Sequence, residues 1–155
     1  YKRPIWIYVG RVAVEKNIKA FLDLDLEGTK VIIGKGPNLN KLKKKYPNDF
    51  FLGEKTNGEL ASHFASSDVF VFPSKTDTFG IVVLESLICG TPVAAYPVPG
   101  PKDILGGSKI DTLDQDLKTS ALKALKVNRE DCLEFAKKYS WEETAKIFYN
   151  NISPN

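Results

Sequence analysis

The chain has no methionine, two cysteines and one histidine in its 155 residues. Cys89 and Cys132 fall in segments of helical pattern without CxxC spacing, so neither a disulfide framework nor a zinc site is indicated and both read as small buried hydrophobes. His63 reads as a surface or packing residue, and with no metal-ligand cluster beside it no metal is expected. Long apolar runs are missing too: none approaches the roughly 18 to 20 residues that span a bilayer, and no basic-then-apolar leader opens the chain. A soluble, cytoplasmic protein is expected. There is no GxxxxGK[ST], which excludes a P-loop, and "GKGPN" from Gly34 lacks the third glycine and the strand-one position of a dinucleotide fingerprint. That segment reads as a tight turn with Pro37 at the first helical position. Repeats and low-complexity segments are also lacking. Because Tyr1 stands almost directly on an apolar strand and methionine is absent, the chain reads as one excised domain spanning residues 1–155.

Charge excess of one sign is small. A net +3 does not by itself imply nucleic acid, because a basic face must be clustered to act as an electrostatic footprint. The densest cluster, "KLKKK" from Lys41 to Lys45, has two readings, a solvated helix face or a phosphate- or membrane-facing patch.

What is present is one ordinary core's worth of apolar residues, 43% of the chain, in a recurring order. The short runs "IWIYVG", "KVIIG", "FFLG", "VFVFPS" and "PVAAY" are each continuous and bounded by Gly or Pro, as strands covered on both faces of a parallel sheet are. Amphipathic segments at 17–26, 39–46, 58–66 and 79–89 alternate with them. The order predicts an α/β fold, a Rossmann-like doubly wound parallel sheet, whose ligands sit at the carboxyl ends of the strands. "PVPGPKDILGGSK" is too rich in Pro and Gly for a regular element until a short strand near Lys109 and Ile110. Helices are then expected over about 114–126, over 129–138 with Asn128 as cap, and from a capping box of Ser140 and Glu143. In the last of these Trp141, Ala145, Phe148, Tyr149 and Ile152 share one stripe that must dock on something apolar.

Two places carry chemistry. In "VGRVAVEKN", Arg11 follows the strand's terminal Gly10 and Lys16 opens the next helix, so two cations and a helix N-terminus can converge on a diphosphate. They can equally be surface residues beside a turn. In "KTDTFGIVVLESLICGTPV", Asp77 lies in a loop and a helix begins near Phe79, leaving N–H groups of Phe79, Gly80 and Ile81 unpaired. Glu85 shares a helical stripe with Ile81, Ile88 and Cys89, and a carboxylate in such a setting should have donors: lysine, arginine, backbone, or the diol of a ribose. An internal salt bridge for Glu85 and a helix cap for Asp77 are the alternatives.

Asp77-x7-Glu85 within "PSKTDTFGIVVLESLICGTPVAAYPVPG", together with "GRVAVEKN" about sixty residues earlier, resembles the C-terminal, donor-binding half of GT-B-type retaining glycosyltransferases, the group 1 enzymes of family 4. The resemblance covers almost the whole chain and implies that the N-terminal, acceptor-binding domain is absent from it. It implies that Arg11 and Lys16 neutralise the donor's diphosphate, that Glu85 holds the nucleotide ribose, and that Asp77 contacts the donor sugar near the reacting centre. The family usually has glutamate at that first acidic position, so Asp77 is one methylene shorter. Backbone amides at Phe79, Gly80 and Ile81 would contact sugar hydroxyls and phosphate, and the base would lie near Leu52 and Gly53 through main chain. Implied, then, are a UDP- or GDP-linked hexose as substrate and no cofactor. A glycan or lipid acceptor, partnership with the chain's own N-terminal domain, and peripheral association with the inner face of a membrane complete the expectation. Another two-domain GT-B enzyme, such as a sugar-nucleotide epimerase or sugar-phosphate transferase, and a non-catalytic nucleotide- or glycan-binding module are the competing readings.

Overall fold

The computed structural model describes residues 1–76 and 80–138. Asp77, Phe79 and the terminal segment with its Ser140 and Glu143 capping box and aromatic stripe lie outside the described residues.

Five strands form one parallel sheet: β1 (Ile5–Val9), β2 (Thr29–Ile33), β3 (Phe50–Gly53), β4 (Val69–Phe72) and β5 (Val93–Ala95), in the order β3-β2-β1-β4-β5. The chain winds outward from β1 to β3, returns to the other side of β1 at β4, and continues to β5. A right-handed crossover places its helix on a face set by the direction of travel, so the reversal moves the helices from one face to the other. Accordingly α1 (Ile18–Leu22), α2 (Leu39–Lys45) and α6 (Leu117–Leu125) cover one face. The other carries α3 (Asn57–Ser66), α4 (Ile81–Ile88), α5 (Pro99–Leu105) and α7 (Arg129–Lys137).

Alternation along the strands divides the core between the two faces. Trp6, Tyr8, Ile32, Val69, Val71 and Ala94 pack under α1, α2 and α6. Ile5, Ile7, Val31, Ile33, Phe70 and Phe72 pack on the opposite side, where Phe64 of α3 meets Phe70 edge-on at 5.3 Å between centroids. Full burial of each such side chain contributes about 1.5–3 kcal/mol against its exposed state, so both faces are needed for the sheet to persist. The core hydroxyls of Ser86 and Ser120 are paired: Ser86 Oγ donates to Thr91 O at 2.8 Å, and Ser120 Oγ donates to Thr112 O at 2.7 Å while accepting from Ala95 N.

Several expectations need correction. "PVPGPKDILGG" contains a regular helix, α5, because Pro99 opens it and Pro101 still lies among the first-turn positions whose N–H groups have no helical partner. Lys109 and Ile110 form a turn, not a strand; Ile110 is buried from that turn. Helix α1 is a short piece, preceded by a 3-10 turn at Val14–Lys16 and separated from it by Asn17, whose φ of 56° breaks the helix. Cys132 is buried as expected, whereas Cys89 is half-buried. Asn128 does cap α7, accepting from Glu130 N at 2.9 Å.

Candidate functional site

Three of the strands end in glycine followed at once by a charged residue: Gly10-Arg11, Gly34-Lys35 and Gly53-Glu54. Their turns lie side by side at the carboxyl edge because β1, β2 and β3 are neighbours. Backbone bonds zip them together: Gly10 N donates to Ile33 O at 3.0 Å, Val12 N to Lys35 O at 2.9 Å, and Gly34 N to Gly53 O at 2.8 Å. Asn38 N returns to Val12 O at 3.0 Å. The contact tolerates no side chain at Gly34, where a Cβ would fall 1.8 Å from Gly10 O and φ is +142°. Around these turns opens a cleft of about 640 Å³, walled by Arg11, Lys35, Pro37, Glu54, Lys55 and Leu60 with Val9 and Ile33 at its base.

Arg11 is exposed, and its guanidinium pairs with Glu15 at 3.0 Å. Its backbone is fixed by Tyr8, whose hydroxyl donates to Arg11 O at 2.8 Å. Lys16 stands half-buried in the 3-10 turn, and the following Asn17 uses its Nδ2 to donate to Pro73 O at 2.9 Å. That bond ties the first turn to the end of β4, across the point where the winding reverses, so Lys16 sits at the crevice where such sheets take their ligands. Ser74, which follows Pro73, is buried, and its Oγ has no hydrogen-bond partner among the described residues.

Helix α4 begins at Ile81 with Gly80 as its N-cap, and among the described residues no side chain caps the amides of its first turn. Gly80 is pressed against α5: a Cβ there would lie 2.4 Å from Ile104 Cδ1. Val83, Leu84 and Leu87 face the core. Glu85 does share a face with Ile81, Ile88 and Cys89, but that face looks onto a groove between α3 and α4 rather than into the core, and Glu85 is exposed, not buried. The groove is apolar, lined by Leu60, Ala61, Phe64, Ile88 and Cys89. A residue can show much of its stem to solvent while its carboxyl group is poorly hydrated, and here desolvation raises the Glu85 pKa above its ordinary value. No hydrogen bond or ion pair offsets that among the described residues, so the salt-bridge alternative is not realised there. Leu60 lines both the cleft and this groove, which makes Glu85 the neighbour of the cleft rather than part of a separate site.

Arg11 and Gly10 are therefore brought to one cleft with residues that sequence reasoning missed, namely Lys35, Glu54, Lys55 and Leu60. Leu52 packs against the core, and Gly53, at φ +74°, gives its carbonyl to Gly34; the cleft wall is made by the two residues that follow them. The recurring glycine-then-charge pattern at strand ends was the signal that could have found them. Among the described residues no group of His, Cys, Asp and Glu could hold a metal ion, and no helix is long and apolar enough to cross a membrane.

The profile of the family described as "Glycosyl transferases group 1" matches residues 1–138. The chain belongs to that family. It is 38% identical over 109 residues to sulfoquinovosyl transferase SQD2 of Arabidopsis thaliana, an alignment covering 67% of this chain and 21% of that protein. It is 39% identical over 109 residues to a GDP-mannose-dependent alpha-mannosyltransferase of Mycolicibacterium smegmatis, covering 66% of this chain and 28% of the relative. The chain thus matches between about a fifth and just over a quarter of the length of these two group 1 transferases. Its fold matches TarM of S. aureus, solved in complex with UDP, at a TM-score of 0.72 and 22% identity, covering 95% of this chain and 35% of TarM. A sucrose-phosphate synthase from Thermosynechococcus elongatus matches at a TM-score of 0.71 and 22% identity, with coverage of 98% and 46%. The parallel five-stranded sheet with helices on both faces is the Rossmann-like half of a GT-B architecture.

Proposed function

We propose that the chain is the nucleotide-sugar-binding domain of a retaining glycosyltransferase, which transfers a hexosyl group from a UDP- or GDP-linked donor to a glycan or lipid acceptor. The observation that carries this reading is the junction at Leu60, where a cleft walled by cationic turns meets the apolar groove that holds Glu85, whose carboxylate has no partner among the described residues. Arg11 and Lys16 neutralise the diphosphate, which gains charge as the glycosidic bond breaks. Cations already in place, together with the amides of Gly80 and Ile81 at the start of α4, stabilise that charge most in the transition state. The diol of the ribose donates to both oxygens of Glu85 and supplies the partners its carboxylate lacks. Asp77 contacts the donor sugar beside the reacting carbon, and the amide of Phe79 joins those of α4. No metal is required for charge stabilisation of this kind.

Support comes from the relatives, several of which are named for GDP-mannose, and from fold neighbours solved with UDP. An acceptor domain N-terminal to this chain completes the site, so the chain alone binds donor with little or no transfer. The test is calorimetric titration with UDP, GDP and ADP, repeated with Arg11→Ala and Glu85→Ala. Binding in the micromolar to millimolar range, weakened by both changes, is expected. Absence of binding to all three nucleotides overturns the reading.

A further inference from the structure

The cleft wall opposite Arg11 holds a second ion pair, Lys35 Nζ to Glu54 Oε2 at 3.0 Å, joining the turn after β2 to the turn after β3. Both side chains are exposed, at 73% and 64%, so the pair holds little energy of its own and its members are free to take other partners. Their backbones, in contrast, are fixed. Lys35 O accepts from Val12 N, Gly36 is wedged with its Cβ direction 2.2 Å from Val12 O, and Glu54 follows the bond from Gly34 N to Gly53 O. A cation and a carboxylate are thus presented side by side on rigid turns, above an apolar base of Val9, Ile33 and Leu60.

We infer that Lys35 and Glu54 read the edge of the nucleobase and select guanine; the inference rests on the donor-site reading above. Guanine carries on one edge an acceptor, O6, followed by two donors, N1–H and the N2 amine. Lysine donates to O6 while the two carboxylate oxygens accept from the two neighbouring donors, a bidentate match of the stronger, charge-assisted kind. Uracil offers a single N3–H between two carbonyl oxygens. One carboxylate oxygen can accept from it, but the other then faces a carbonyl. Adenine presents one donor and one acceptor on the corresponding edge, so the carboxylate again uses one oxygen. The apolar base of the cleft covers the ring faces and gives no discrimination, which leaves the edge as the reader.

Titration of the full chain with GDP, UDP and ADP tests this, using the wild type, Glu54→Gln, Lys35→Ala and, as a control on the diphosphate anchor, Arg11→Ala. GDP is expected to bind roughly tenfold or more tighter than UDP or ADP. Glu54→Gln should weaken GDP by about that factor and leave UDP within about twofold, so that the preference disappears. Because both residues are exposed, circular dichroism of the variants should match the wild type. Equal or tighter binding of UDP, or a Glu54→Gln loss of the same size for every base, overturns the guanine assignment while Arg11→Ala still weakens all three and the donor site stands. If no nucleotide binds, or if Arg11→Ala changes nothing, the donor-site reading falls and this inference falls with it.

Discussion

Glu85 shows how one residue can be legible in type and position yet misread in setting. Its spacing placed it on a stripe with Ile81, Ile88 and Cys89, and it is there, but the stripe borders a groove instead of the core. Periodicity reports which residues share a face and says nothing of whether another element closes over that face. The consequence is measurable in the pH dependence of stability. Desolvation holds the folded carboxyl's pKa above its ordinary 4.5, so the native state keeps this proton to higher pH than the unfolded chain does. The stability linked to the protonated form is fully present below 4.5 and is lost as pH rises through the raised value. Urea unfolding of Glu85→Gln across that range should lack this loss, leaving the variant more stable relative to wild type at neutral pH than at acid pH. Parallel curves for the two proteins would show that the carboxyl is hydrated after all. Lys35 and Glu54, by comparison, were not found at all, because they lie nineteen positions apart in sequence and only the β3-β2 pairing brings them together.

At the level of elements, all five strands were readable because each is a short continuous apolar run bounded by Gly or Pro, although the edge strand β3 is only half-covered, with Phe50 exposed. Helix α5 was not, since the Pro and Gly content of its segment reads as irregular, whereas a first turn accommodates both Pro99 and Pro101. Sequence pattern also could not show how α7 is held. Arg129, at the first position of α7, donates to Ala65 O at 2.9 Å in the last turn of α3 and to Ser67 O at 2.6 Å just past it, and reaches Thr91 Oγ1 at 3.3 Å beyond α4. A cation is unfavourable at its own helix's N-terminus but favourable at the C-termini of two others, and the latter contacts are direct. Charge-assisted bonds of this sort contribute about 1.5–3 kcal/mol each when a buried partner would otherwise be left unpaired. Arg129→Ala is therefore expected to lower the unfolding free energy by about 2–4 kcal/mol, read from denaturant midpoints, and Arg129→Lys should recover less than half because one ammonium cannot reproduce the planar fork. A loss below about 0.5 kcal/mol would mean that apolar contacts of Cys132 and Ala136 hold α7 without it.

Across the whole molecule, the reversal of winding between β1 and β4 puts every proposed donor contact at one end of the sheet and leaves the other end to close the core. The two ends should therefore respond differently to ligand. A nucleotide that binds only the native state stabilises everything against global unfolding, but it suppresses local opening only where it touches. The turns at residues 10–17, 34–38 and 53–56, and the first turn of α4, lie beyond the strand ladders, and apart from the bonded amides of Gly10, Val12, Lys16, Asn17, Gly34 and Asn38 they are expected to exchange hydrogen faster in the free chain than the sheet does. Hydrogen exchange with saturating nucleoside diphosphate should slow these segments together, with α6 and α7 unchanged at times too short for global unfolding. The 34–38 and 53–56 turns should be protected by a nucleotide and not by inorganic pyrophosphate, because only the base reaches that wall of the cleft, while residues 10–17 should respond to both. Protection confined to α2 and its lysines would instead assign anion binding to the outer face, and the cleft at the carboxyl edge would lose its claim as the donor site.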